Sequence, residues 1–203
     1  MIIRAYHVVV TAYGFWLPND PRGSWSDWIR QFDLIEFGRA TKVTTRHSLA
    51  KVPHDQQLRQ EAKRTLRYPP VAFNGRQALA IATGFKRAIE ESSYTVYACS
   101  ILPKHAHLVI AKHDRKAEMI VGHLKGRATQ QLTHENLHPL AAYRQPDGTV
   151  PSPWTRKSWP VFLHTDDEIV RAIRYVEDNP AREQRPRQHW SFLVPFRPDL
   201  HGA

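Results

Sequence analysis

The sequence predicts an α+β fold built on an antiparallel sheet. Apolar residues recur at helical spacing in three segments, and four short runs have the composition of strands. These segments follow the order strand, helix, strand, strand, helix, strand, and a further helix comes last. That order is the ferredoxin-like split pattern, in which helices cover one face of the sheet.

Each early element has its own local signal. The strands are the runs rich in β-branched and apolar residues, at residues 5–13, 94–101, 105–112 and 159–164. Asn74 can cap the first helix, which continues to about Ser92 with an apolar stripe along one side. The second helix is expected over about residues 115–135, again with apolar residues at helical spacing.

Two histidines, one residue apart, begin the third predicted strand. Because side chains alternate between the faces of a strand, His105 and His107 point to one side while Ala106 and Leu108 point to a core. Neutral imidazole is a common ligand for divalent cations, so the pair supplies half of a metal site. The alternative is that both are ordinary polar residues on the wet face of a strand.

The last predicted helix has a polar face that carries a tyrosine and an amide. Thr165 and Glu168 form a capping box at its start, and Pro180 is expected to end it at Asn179. Tyr175 and Asn179 lie four residues apart and share one side of the helix. The helix is expected to cross the free face of the sheet and to bring Tyr175 to the histidines. Otherwise these two residues are an ordinary core-edge side chain and an ordinary helix end.

The motifs, taken in order and spacing, resemble a known family. A His-Ala-His strand at residues 105–107 and a late helix ending in Tyr-x-x-x-Asn-Pro at residues 175–180 resemble the HUH single-strand transposases with one catalytic tyrosine. Within them, the pattern is similar to the REP-associated tyrosine transposases. Residues 6–23 also resemble the first strand and loop of that family, and residues 124–129 resemble its second helix. The resemblance covers residues 4 to 18 and about 74 to 182.

The resemblance implies an enzyme that cuts and rejoins single-stranded DNA next to hairpins during transposition. Tyr175 is then the nucleophile, and it leaves a 5′-phosphotyrosine link and a free 3′-hydroxyl. A phenol is a poor nucleophile at neutral pH without help. A divalent cation, Mg²⁺ or Mn²⁺, is expected to bind and polarise the scissile phosphate, with His105, His107 and the oxygen of Asn179 as its ligands.

Residues 1–203 are expected to form a single domain with a basic insertion at about residues 24–73 and a C-terminal tail at residues 183–203. Residues 39–76 hold nine lysines or arginines against two acidic residues, and residues 55–67 have the composition of a basic helix. The insertion either follows nucleic-acid phosphates or is a solvated surface excursion. The tail is open to three interpretations: it packs on the core, gates the site or binds DNA.

The charge balance favours a polyanionic partner. Lysine and arginine number 29 in 203 residues, against 19 aspartates and glutamates, which gives a net charge of +10. Single-stranded DNA with hairpin structure is the expected partner, and both a homodimer and a monomer remain open. The expected nucleic-acid-binding residues are Lys104, Lys125, Arg127, Arg22, Trp25 and Arg171. One cysteine, no membrane-spanning run and no signal peptide favour a cytoplasmic protein. The resemblance to the transposases implies a bacterial cytoplasm and association with the nucleoid.

Two other functions compete with this interpretation. Residues 134–138 match the H-E-x-x-H pattern of zinc proteases, although Pro139 biases His138 away from a helix. A protein of the same fold that binds hairpin or single-stranded nucleic acid without cutting it predicts the same basic surface. Such a protein has no need of the tyrosine, histidine and amide set. RNA in place of DNA is a further possibility for the substrate.

Overall fold

Four strands form one antiparallel sheet in the order β2-β3-β1-β4. The computed structural model describes residues 2–24, 26–43 and 52–198. The strands are β1 (Ala5–Thr11), β2 (Val96–Ile101), β3 (His105–Ala111) and β4 (Trp159–Leu163). The helices are α1 (Gln56–Arg64), α2 (Gly75–Ser92), α3 (Ala117–His134) and α4 (Asp166–Arg182). The strand order and the helix placement confirm the predicted α+β, ferredoxin-like fold.

The two faces of the sheet bury different sets of side chains. On one face, residues such as Val8 and Leu108 form the main core with α2 and α3. On the other face, Val109 and its neighbours form a smaller core with Ile169 and Val176 of α4. The alternation of side chains along each strand accounts for this division. As predicted, two helices cover one face, and the tyrosine-bearing helix lies against the other.

Helices α2 and α3 approach each other closely at a glycine. Asn74 and Gln77 form a capping box that begins α2. Further along, a Cβ atom on Gly84 would lie only 2.5 Å from the Cα of Ala128 on α3. The absence of a side chain at this position allows the two backbones to pack at that distance.

Helix α4 begins as predicted and ends later than predicted. The capping box of Thr165 and Glu168 is present. The expectation that Pro180 ends the helix at Asn179 is wrong, because the helix continues to Arg182. Pro180 lies in the last turn, and backbone bonds around it close that turn, since the Glu183 amide donates to the carbonyls of Asn179 and Pro180.

The H-E-x-x-H segment does not lie on one helix. His134 is the last residue of α3, and Asn136 has a left-handed backbone with φ of 56°. His138 follows this turn, and its Nδ1 accepts a hydrogen bond from the Leu140 amide. Zinc ligation in a protease requires the two histidines of this motif to lie on one face of a helix. His134 and His138 do not meet that requirement.

The basic insertion folds against the loop that follows β1. Asp55 caps α1 through the Leu58 amide, in line with the predicted basic helix. A small separate core joins Leu17 of the loop, Leu34 of a 3₁₀ turn and Ala62 of α1. The described parts of the insertion, residues 26–43 and 52–73, thus pack beside the sheet.

The described part of the C-terminal tail, residues 183–198, packs on the core and covers the outer edge of β2. The side-chain amide of Gln188 donates to the Ile101 carbonyl at 2.8 Å, and its oxygen accepts from the Ile101 amide at 2.7 Å. Further on, the Val194 amide donates to the Val96 carbonyl at 2.9 Å. Of the three interpretations of the tail, packing on the core is the one that these contacts favour.

Candidate active site

Three histidines from two neighbouring strands meet on the sheet face that α4 covers. His107 pairs with Val9 in the register of β1 and β3, so His7, two residues before Val9, lies diagonally across from it on the same face. Nε2 of His7 and Nδ1 of His107 are 3.0 Å apart, a hydrogen-bond distance. The ring centroids of His105 and His107 are 4.9 Å apart.

The surroundings of these rings keep them neutral. His107 is 6% exposed. Burial lowers the pKa of His7 and of His105 to about 4, and the charge of Lys104 adds to the effect on His105. The pKa of His107 is well below its usual value for the same reason. At neutral pH the ring nitrogens that carry no hydrogen therefore keep their lone pairs for a cation.

Tyr175 of α4 lies directly against this cluster. Its ring centroid is 5.5 Å from that of His107 and 5.6 Å from that of His7, in edge-to-face contacts. The guanidinium of Arg182 lies 4.9 Å from the Tyr175 ring on the same helix. We refer to His7, His105, His107, Tyr175 and Asn179 as the histidine site.

Asn179 lies one helical turn beyond Tyr175 and is 7% exposed. Glu183, one turn further on, has Oε1 at 3.7 Å from Nε2 of His105. Asn179 is thus placed between two residues of α4 that both contact the histidines. Arg182 and Glu183 reach the site only because α4 continues through Pro180.

The donor set fits a divalent cation that also takes oxygen ligands from a substrate. Among the described residues, Nδ1 of His105 and Nδ2 of Asn179 are buried without a hydrogen-bond partner. Rotating the Asn179 amide exchanges its nitrogen and oxygen, so a ligating oxygen can occupy that position. The bond from His7 fixes the orientation of the His107 ring, as second partners of metal ligands commonly do. No group of three or more His, Cys, Asp or Glu in the described ranges is arranged to hold a metal ion.

A phenylalanine from the loop after β1 holds the His105 ring from the other side. Phe15 stacks on His105 with ring centroids 5.2 Å apart and planes inclined by 18°. The carbonyl oxygen of Phe15 accepts from Lys63 at 3.2 Å and from Arg59 at 3.3 Å, both on α1. The loop and the insertion are therefore in direct contact with the histidine site.

The predicted nucleic-acid-binding residues have different surroundings. Lys104 and Arg171 are exposed, the first immediately before His105 and the second one turn before Tyr175 on α4. Nζ of Lys125 donates to the Thr155 carbonyl at 2.9 Å, and burial lowers the pKa of Lys125 to about 8.

Of the other predicted nucleic-acid-binding residues, Arg127 and Arg22 pair with carboxylates of the protein, and Trp25 is not among the described residues. Arg127 pairs with Glu91 at 2.7 Å between α3 and α2, on the far side of the sheet from the histidines. Arg22 is 7% exposed, pairs with Asp20 at 2.7 Å and lies 3.8 Å over the Trp16 ring.

His7, Phe15, Lys63 and Glu183 lie near the site and were not predicted from the sequence. Alternation along β1 already places His7 on one face with Val9 and Thr11, so the strand pattern contained a usable signal. Phe15 and Lys63 have no such signal, because a loop and an insertion bring them to the site.

The solved structures that are similar to this protein include two transposases. A REP-associated tyrosine transposase bound to a REP hairpin has 10% sequence identity and a TM-score of 0.47, and the match covers 90% of this chain and 70% of that one. A provisionally assigned transposase from Deinococcus radiodurans R1 has 10% identity and a TM-score of 0.37, over 88% of this chain and 92% of that one. No known family profile and no curated protein matches the sequence. Within the described residues, no helix is both long and apolar enough to cross a bilayer.

Proposed function

We propose that this protein is a metal-dependent single-strand DNA transposase of the HUH type, which cuts next to hairpin DNA through a tyrosine nucleophile. The observation that carries the proposal is the convergence of Tyr175 with His105 and His107, on elements about seventy residues apart in sequence. Binding alone has no need of a half-buried phenol packed against neutral imidazoles. The sequence resemblance to the REP-associated tyrosine transposases supports the same conclusion.

In the proposed reaction the Tyr175 oxygen forms a bond to the scissile phosphorus and loses its proton. The bond from phosphorus to the 3′-oxygen breaks, and that oxygen leaves with a proton as a free 3′-hydroxyl. The 5′-phosphate stays on the tyrosine. Because the phosphodiester energy is conserved in the phosphotyrosine, another 3′-hydroxyl can attack and rejoin a strand.

The side chains around Tyr175 support this chemistry. Packing against His7 and His107 limits the rotation of the phenol, which favours a productive orientation. The guanidinium of Arg182 over the ring brings positive charge to the place where the nucleophile and the phosphate carry negative charge.

His105, His107 and Asn179 would hold the cation, either Mg²⁺ or Mn²⁺. When bound, the ion supplies charge neutralisation and polarisation of the phosphate. Mn²⁺ accepts imidazole more readily than Mg²⁺ does. His7 would act through His107 by holding its ring.

A covalent-adduct experiment tests the proposal. The purified protein is mixed with an end-labelled single-stranded hairpin DNA and Mn²⁺, and the products are separated on a denaturing gel. We expect a labelled protein band that requires the metal and disappears in Tyr175→Phe and in His105→Ala. Tyr143→Phe is the matched control, because Tyr143 is 40% exposed in a short 3₁₀ turn away from the helix that carries Tyr175.

Two results would contradict the proposal. An adduct that persists in Tyr175→Phe would assign the nucleophile to another residue. Tight hairpin binding with no adduct, for hairpins of several sequences and with both metals, would make the protein a non-catalytic hairpin-binding protein.

A further inference from the structure

Four cationic side chains meet beside the histidine site, and the proposed chemistry does not use them. They come from the loop after β1, from α1 of the insertion and from the turn that precedes β3. We refer to them as the basic junction: Arg22, Arg59, Lys63 and Lys104. The other three are close enough to Lys63 for their charges to act on it.

The basic junction has more positive charge than its own carboxylate can balance. Asp20 is fully buried and accepts from Arg22 at 2.7 Å and from Arg59 at 3.0 Å. Burial alone raises the pKa of Asp20, but the bonds and charges of the two arginines outweigh it and lower that pKa. One carboxylate is thus shared by two guanidinium groups. Within the described part of the chain, neither Lys63 nor Lys104 makes an ion pair.

Lys63 is held in place next to the histidine site. Its Nζ donates to the Phe15 carbonyl at 3.2 Å and lies 6.0 Å from the centre of the Phe15 ring. That ring stacks on His105. The neighbouring Ala62 anchors α1 in the small core with Leu17 and Leu34. Phe15 therefore contacts both the ammonium group of Lys63 and the ring of His105, a candidate metal ligand.

The surroundings of Lys63 are those of a site for an anion. Burial, together with the charges of Arg59 and Lys104, lowers the pKa of Lys63 to about 8, although Asp20 acts in the opposite direction. A bound phosphate would supply the negative charge that this arrangement lacks.

We propose that the basic junction binds a phosphate of the nucleic-acid strand beside the one that enters the histidine site, with Lys63 and Lys104 as the direct contacts. The inference rests on the proposed function for the identity of the strand. It assigns the basic insertion a role in holding the substrate at the active site, since Lys63 belongs to α1.

The test measures binding without cleavage. The affinity of a fluorescent single-stranded hairpin DNA is measured by anisotropy in a chelator, at several salt concentrations, with every variant made in the Tyr175→Phe protein. Lys63→Gln keeps a donor for the Phe15 carbonyl and removes the charge. We expect its affinity to fall about tenfold, and the slope of log affinity against log salt to decrease by about one.

Matched variants distinguish the loss of a phosphate contact from the effect of removing any one positive charge. Lys86→Gln is the control, because Lys86 lies on α2, on the opposite face of the sheet, and pairs with Glu90. It should bind as the parent does, and Lys63→Arg should keep the salt slope. Lys104→Gln should repeat the result of Lys63→Gln, and it serves alone if Lys63→Gln fails to fold, because the Lys104 side chain is exposed.

Binding curves of Lys63→Gln and Lys104→Gln that coincide with that of Lys86→Gln would overturn the inference. Its failure is distinguishable from failure of the proposed function. If the protein with Tyr175 intact forms an adduct but the lysine variants bind normally, the transposase proposal stands and the basic junction has no such role. If no adduct forms and the lysine variants lose affinity, the phosphate site stands and the catalytic proposal fails.

Discussion

The hydrogen bond between His7 and His107 depends on the protonation of both rings. One nitrogen must carry a hydrogen and the other must offer a lone pair, so at least one of the two imidazoles is neutral. Burial lowers the pKa of both rings and keeps the second imidazole neutral as well. An unfolded histidine takes up a proton as the pH falls through about 6.5, whereas folded His7 does so only near pH 4. Over that interval the unfolded chain binds more protons, and acid therefore favours unfolding.

We expect the free energy of unfolding, measured with urea in a chelator, to fall steadily between about pH 6.5 and pH 4. His7→Gln removes one of the groups responsible. The free energy of unfolding of this variant should therefore fall less over this interval than that of the unsubstituted protein, by up to about 3 kcal/mol. His189→Gln is the control at an exposed position, and its free energy of unfolding should fall as much as that of the unsubstituted protein. Equal losses in all three proteins would show that His7 is not kept neutral by the fold.

The stacked Phe15 ring leads to a second expectation at the scale of single residues. Phe15→Leu keeps an apolar side chain but removes the flat surface that holds His105. In the proposed mechanism His105 is a metal ligand, and partners that orient metal ligands are commonly worth about tenfold to a hundredfold in activity. Under that mechanism adduct formation should slow by at least about tenfold. Phe32→Leu, at a position that is 84% exposed, should leave the rate unchanged. A normal rate in Phe15→Leu would mean that His105 is oriented without the ring.

Much of the histidine site followed from local periodicity. A repeat of two places His105 and His107 on one face of a strand, and helical spacing places Tyr175 and Asn179 on one side of a helix. What periodicity does not specify is the distance to residues from elsewhere in the chain. The contacts of Phe15 and Lys63 depend on how a loop and an insertion fold back, which no repeat encodes.

At the scale of elements, the order of strands and helices was predictable and their ends were less so. Capping boxes fixed the starts of α2 and α4, because a side chain and a backbone amide satisfy each other within four residues. The end of α4 was misjudged because Pro180 sits in a turn whose carbonyls find other donors. That error concealed Glu183 as a neighbour of the site.

The contact between α2 and α3 is expected to be intolerant of added volume. In Gly84→Ala the new methyl group would lie 2.5–2.6 Å from backbone atoms of Ala128 and Arg127, so the helices would have to separate. We expect a loss of about 1–3 kcal/mol in the free energy of unfolding by urea.

Gly126→Ala is the matched control within α3. A Cβ atom there meets nothing within 4 Å, and alanine favours a helix over glycine by about 0.5–1 kcal/mol. This variant should be slightly more stable than the natural sequence. A Gly84→Ala protein of undiminished stability would contradict the close packing of the two helices.

At the scale of the whole molecule, the tail completes the sheet by covering β2. Gln188→Ala would leave the Ile101 amide and carbonyl without the side chain that now bonds both. Loss of partners for buried backbone groups predicts a decrease of about 2 kcal/mol in the free energy of unfolding. Gln60→Ala, at an exposed position of α1, should show no loss.

Gln188→Ala should also increase self-association of the protein, because it uncovers the edge of β2. Uncovered strand edges pair readily with other chains, so light scattering should detect more self-association in Gln188→Ala than in Gln60→Ala. If Gln188→Ala is as stable as Gln60→Ala and associates no more, the remaining contacts of the tail are sufficient to cover β2.

The three apolar clusters formed by the described residues differ greatly in size, and the smallest joins the insertion to the loop after β1. A region with few buried contacts opens at a lower free energy than the domain as a whole. Backbone amides of α1 should therefore exchange their hydrogens for deuterium sooner than those of α2. Each opening would also carry Lys63 away from Phe15, so the proposed binding of nucleic acid at the basic junction should weaken on warming before the sheet unfolds.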